Sequence, residues 1–253
     1  MFARMDEYRL VWADEFDYEG KPDPEKWNYD LGNHQWANRE LQAYTDRPDN
    51  VFVKDGKLTL CARKEQDGER QYTSCRMTTY GRQSWKYGYF EIRARLPRGR
   101  GSWPAFWFLA DSIRQGTGWP LCGEIDMMEH TLVHENDIVY SLHSQKHNHT
   151  RRDTRQYSTS VYREGVCQDF HIYGMEWTRD YVEYFFDGES VCKYCRTDDP
   201  EDQTENAWPY DQPFYLILNI AVGGFMGGPV AEEDLPYVME IDYVRAYQKV
   251  SSR

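Results

Sequence analysis

Glu124, Asp126 and Glu129 stand close together in the stretch Glu124-Ile125-Asp126-Met127-Met128-Glu129, with apolar residues between them. Side chains alternate faces along a strand, so Glu124 and Asp126 share one face while Ile125 and Met127 share the other. Glu129 follows Glu124 at an odd spacing, which puts it on the wrong face. One extra residue near Met127-Met128, a β-bulge, returns it to the side of the other two acids. Three carboxyls crowded on one face resist full ionisation, so at least one keeps a proton near neutral pH. An ionised carboxylate beside a protonated one is the pair that cleaves glycosidic bonds. Two long Glu side chains on such a strand can lean to the roughly 5–5.5 Å separation of a retaining hydrolase. A solvated acidic strand face and a metal site are the competing readings of the pattern.

Such acids need rigid strands to hold them, and strand signals fill the chain. Residues 8–16 alternate weakly and open it. Residues 50–53 and 57–62 flank Asp55-Gly56, a pair that closes hairpins. Residues 87–97 and 138–144 read as further strands, and residues 169–178 and 182–188 as a strand pair. The apolar run at residues 214–222 predicts a strand buried on both faces. Glu91, Arg93 and Arg95 share a face and read as structural ion pairs. With no internal repeat, linker or heptad, the expectation is one all-β domain over residues 1–253, a sandwich or barrel.

Composition narrows the partners. A formal net charge of −12 repels phosphate backbones, which argues against nucleic acid and leans toward a neutral polymer. The 20 Tyr and 9 Trp suit both a packed core and flat platforms for sugar rings. No run reaches the roughly 18 apolar residues of a membrane span. Residues 1–8 lack the apolar stretch of a secretory leader, so the expectation is a cytoplasmic protein, or a secreted one whose leader has been removed. Cys61, Cys75, Cys122, Cys167, Cys192 and Cys195 show no disulfide framework. The pair at Cys192 and Cys195 lacks the second pair of a zinc site, so free thiols are expected.

Glu124-Ile125-Asp126-Met127-Met128-Glu129 resembles the bulged E-x-D-x-x-E signature of glycoside hydrolase family 16. That form is carried by laminarinase-like endo-β-1,3-glucanases and by agar and carrageenan hydrolases. The likeness runs through nearly all of the chain. Asn38-Arg39-Glu40-Leu41-Gln42-Ala43-Tyr44-Thr45 resembles N-x-E-L-Q-x-Y-T, residues 72–78 resemble the family's Y-T-S-x-R strand through Tyr72-Thr73-Ser74-Cys75-Arg76, and residues 239–248 resemble its closing strand. Trp103-Pro104-Ala105-Phe106-Trp107 resembles W-P-A-F-W, and residues 213–224 resemble P-F-Y-L-I-L-N-x-A-V-G-G.

The resemblance implies a β-jelly roll of two curved antiparallel sheets, with a substrate cleft across the concave face. It implies Glu124 as nucleophile, Glu129 as acid/base and Asp126 between them. The substrate would be β-1,3-glucan (laminarin) or mixed-linkage β-1,3/1,4-glucan, cut internally by double displacement without a catalytic cofactor. Asn38 and Trp36 would meet sugar on the non-reducing side, beside Gln35, and Arg76 would face the cleft. Trp103 would stack in the glycon half, Trp107 would line the floor, and Trp119 would be a third platform. His143 matches a strand His neighbouring the acid/base, while His147 and His149 fall on a cleft-edge loop. Members often bind a structural Ca²⁺, matched here by Glu15, the carbonyl of Gly56 and Asp242. A monomer is expected. A galactan hydrolase of the agarase or porphyranase type shares the same three acids and is the enzymatic alternative. A non-catalytic glucan-binding protein and an acidic metal-binding sandwich are the others.

Overall fold

The computed structural model describes residues 5–34, 36, 38–132 and 135–250, so Gln35 lies outside the described residues. The chain opens with β1 (Tyr8–Asp14), β2 (Asn28–Tyr29), β3 (Gln42–Tyr44), β4 (Val51–Lys54), β5 (Lys57–Asp67) and β6 (Arg70–Ser74). Next come β7 (Arg76–Thr78), β8 (Gly88–Arg95), β9 (Ser102–Ala110), β10 (Glu124–His130), β11 (Asp137–His143) and β12 (Tyr157–Tyr162). It closes through β13 (His171–Trp177), β14 (Tyr181–Phe186), β15 (Glu189–Cys195), β16 (Phe214–Val222) and β17 (Tyr237–Lys249). A short helical turn, α1 (Gly224–Gly227), follows β16.

These strands make two sheets. The larger runs β15-β14-β13-β8-β17-β5-β6-β3, with β1 also on β17 and β4 also on β5. The smaller runs β12-β11-β10-β9-β16-β7-β2. Only β3 and β6 pair in parallel among the described strands; the other pairs are antiparallel.

Alternation explains why the smaller sheet can carry a site. On β9, Phe106 and Phe108 point inward and are fully buried, while Trp103 and Trp107 on the other face are half-buried. Phe106 meets Tyr173 of the larger sheet at 5.7 Å between ring centroids, and Phe108 meets Phe90 at 4.9 Å. Trp177 and Phe214 join the sheets again at 5.3 Å, all three as edge-on contacts that ring quadrupoles favour. One apolar core runs from Phe16 to Ala246. β16 is buried along its whole length, as its apolar run predicts.

Two expectations are corrected. Residues 72–78 are not one strand: the chain turns at buried Cys75, leaving β6 in the larger sheet and β7 in the smaller. Every residue from Tyr72 to Thr78 is buried, so burial is unbroken across this corner and hides the break. The second correction concerns calcium. Glu15 accepts two hydrogen bonds from Arg245, at 2.8 and 2.7 Å, and Asp242 accepts one from Arg93 at 2.6 Å. Glu15, Gly56 and Asp242 therefore do not fit a Ca²⁺ ion as a donor set, because guanidinium groups already neutralise both carboxylates. Gly56 serves the β4–β5 turn instead, at φ +69°. Arg95 pairs with Glu240 beside these, so the outer face of the larger sheet carries the expected ion pairs. All six cysteines are free thiols, and among the described residues no helix is long and apolar enough to cross a membrane.

Candidate active site

The bulge sits in β10. Asp126 pairs with Ser141 of β11 and Glu129 with Val139, so three steps on β10 match two on its neighbour. On the β9 side the slip falls between Asp126 and Met128. Met127 and Met128 are both fully buried, and Glu129 returns to the face of Glu124 and Asp126. Gly123 delivers the chain into β10 at φ +81°, where a Cβ would lie 2.7 Å from Pro209 Cγ. The three carboxyls line one groove with Trp103, Trp107, Asn38, Glu40 and Asn219.

Two neighbours orient the acids. Trp103 Nε1 donates to Glu129 Oε1 at 3.0 Å. His143 lies across from Glu124 in the β10–β11 register, with its Nε2 3.1 Å from Asp126 Oδ2 and 3.6 Å from Glu124 Oε1. It thus sits at Asp126 and Glu124 rather than beside Glu129, because register, not sequence distance, sets its neighbours. Asp126 Oδ2 and His143 Nδ1 are buried and make no hydrogen bond. Donor atoms of Glu124, Asp126 and His143 lie within 4.8 Å of one another, a set that could also hold a cation.

Burial pushes all three carboxyls up, each to about 8. For Glu124 and Glu129 the charge of Asp126 adds to the rise, and His143 opposes it. Arg76 opposes it further at Glu124, and the Trp103 N–H does so at Glu129. The group is one coupled system that holds protons at neutral pH, with the Arg76 guanidinium acting on the Glu124 side.

Comparison with known proteins follows the same geometry. The family model described as glycosyl hydrolases family 16 matches residues 38–245. The chain belongs to glycosyl hydrolase family 16. A β-glucanase of Rhodothermus marinus is 47% identical over 96% of this chain and 86% of its own length. The solved laminarinase from Rhodothermus marinus superposes with a TM-score of 0.91 at 45% identity, covering 96% of this chain and 98% of that one. A non-specific endo-β-1,3(4)-glucanase of family 16 superposes with a TM-score of 0.88 at 39% identity, over 96% of this chain and 95% of that one. That crystal presents 1,3-β-D-cellobiosyl-glucose at its active site. The jelly-roll expectation thus holds for this family 16 chain.

In this family 16 groove the predicted residues are unequally placed. Trp103 and Trp107 line it, with Trp107 Nε1 donating to Asn219 Oδ1 at 2.7 Å. Asn38 lines it and donates to Glu40 Oε1 at 3.2 Å. Arg76 is largely buried, its guanidinium 4.7 Å from the rings of both Trp36 and Trp107 and 3.2 Å from Asp30. Trp36 packs edge-on against Tyr44 at 5.2 Å. Trp119 stands to the side, 6.0 Å from the His143 ring and 5.2 Å from that of His149. His147 turns away, buried and bonded through Nδ1 to the Arg155 carbonyl at 2.8 Å, so the three histidines do not converge. Sequence reasoning passed over Glu40, Tyr44 and Asn219. The signal for Asn219 was its lone amide in an apolar run, and Glu40 lay within the N-x-E-L-Q segment.

Proposed function

We propose that this family 16 enzyme is a retaining endo-β-glucanase that cuts β-1,3-glucan and mixed-linkage β-1,3/1,4-glucan. The observation that carries the reading is the bulged β10, which turns Glu124, Asp126 and Glu129 toward one groove walled by indoles. Relatives named β-glucanase and laminarinase, matched across nearly the whole chain, support the substrate class.

Glu124 is the nucleophile: its carboxylate attacks the anomeric carbon while Glu129 gives its proton to the departing glycosidic oxygen. The product leaves and a covalent glycosyl-enzyme remains. Glu129, now ionised, takes a proton from water, which attacks the same carbon, releases Glu124 and restores the original configuration. The Arg76 guanidinium on this side of the site favours the ionised form of Glu124. Asp126 lies between the two and raises both through its charge, which helps Glu129 keep its proton until the bond breaks. Trp103 and Trp107 supply apolar ring faces, and Asn38 supplies an amide for hydroxyls.

Product analysis on laminarin, barley mixed-linkage glucan and agarose tests this. Oligosaccharides from the two glucans and none from agarose are expected. Products from agarose alone would overturn the substrate and keep the mechanism.

A further inference from the structure

Glu40 is a fourth buried carboxyl in the groove, and it takes no part in the chemistry described above. Three donors converge on its two oxygens. Asn38 Nδ2 reaches Oε1 at 3.2 Å, while Gln42 Nε2 and the Tyr44 hydroxyl reach Oε2 at 2.6 and 3.2 Å. The contacts continue beyond it. Asn219 Nδ2 donates to the Tyr44 hydroxyl at 3.1 Å, and Asn219 Oδ1 accepts from Trp107 Nε1 at 2.7 Å. Gln42 Oε1 in turn accepts from the Val222 backbone N–H at 2.7 Å, which fastens the group to β16. Tyr44 also carries the edge of Trp36, and Arg76 lies between Trp36 and Trp107.

We propose that Glu40 is the positioning residue for this wall of the groove, fixing Asn38 on one side and, through Tyr44 and Asn219, the Trp107 indole on the other. This rests on the endo-glucanase reading and deepens it. A buried network of this kind is rigid only when every member is satisfied. A carboxylate suits the node, because three donors meet its two oxygens, whereas an amide offers one oxygen and an NH₂ that would face Asn38 Nδ2 as that amide stands. Losing the carboxylate therefore loosens both the amide that meets hydroxyls and the ring that forms the floor, while Glu124 and Glu129 stay where β10 puts them.

Steady-state kinetics of Glu40→Gln and Tyr44→Phe on laminari-oligosaccharides tests the proposal. Glu40→Gln is expected to raise KM by about tenfold or more, the effect of losing hydrogen bonds to a charged acceptor. Its kcat should stay within about threefold of wild type, and the acid and alkaline limbs of its pH profile should not move. Tyr44→Phe keeps the Asn38 contact and cuts the link to Asn219, so a smaller rise in KM is expected, less than additive with Glu40→Gln. KM within twofold of wild type in both variants would overturn the role, as would a fall in kcat at unchanged KM. A crystal structure of Glu40→Gln gives a readout independent of activity: shifted Asn38 and Trp107 are expected, and unshifted side chains would overturn the proposal. Wild type inactive on laminarin would instead count against the function itself.

Discussion

Glu124, Asp126 and Glu129 share too few protons and too little solvent, and that tension sets the pH behaviour of the enzyme. Each carboxyl is pushed from its ordinary range to about 8, first by burial. The folded state therefore binds protons that the unfolded chain has released. Stability from these groups is fully present below the ordinary carboxyl range and is lost as pH rises through about 8. Glu124→Gln, which removes one of the competing charges, should melt above wild type at pH 8, by ~1–2 kcal/mol or roughly 2–8 °C. The gap should close below about pH 4.5, where the wild-type acid is also neutral; scanning calorimetry at the two pH values checks it. Glu129→Gln should lower kcat by about 10²–10⁴-fold on laminarin while leaving oligosaccharide binding in place. It should also remove the alkaline limb of the rate profile, since that limb reports loss of the Glu129 proton. Equal kcat in variant and wild type would contradict the assignment.

At the scale of the element, the bulge decides which way Glu129 points, and the residues around it leave little room for adjustment. Gly123 holds φ +81° against Pro209, so Gly123→Ala should destabilise by about 1–3 kcal/mol and lower kcat by displacing the start of β10. A variant with unchanged melting temperature and rate would show that this entry to the strand is not constrained. The three acids and their bulge were legible in the sequence because strand periodicity is strict: acids at an odd spacing with apolar residues between them admit few solutions. The hairpin at Asp55-Gly56 was legible for a similar reason, since both residues hold positive φ there. The corner at Cys75 was not, because alternation says which residues are buried and not which sheet buries them. Asn219 stayed hidden on a strand whose two faces are both covered, where burial does not distinguish groove from core.

Across the whole molecule, backbone pairing fixes the relation of the strands, and long-range ion pairs that no local pattern encodes lie on top of it. Arg245 with Glu15 ties β17 to the end of β1, and Arg93 with Asp242 ties β8 to β17, where calcium ligands were expected. Arg93 already read as an ion-pair residue from its strand face, whereas nothing in the sequence paired Arg245 with Glu15. A chelator such as EDTA should accordingly leave the melting temperature unchanged, and a clear drop reversed by added Ca²⁺ would contradict this. With all six cysteines free, a reductant should be equally without effect. The groove that results is made by both the bulge of one strand and the network of Glu40, one aiming the acids and the other holding the sugar-binding face. The measurement that tests the central claim most directly is the anomeric configuration of the first products, followed by proton NMR as the wild type cuts laminarin. The β-anomer should accumulate first and then mutarotate, as double displacement through Glu124 requires. First formation of the α-anomer would contradict the mechanism.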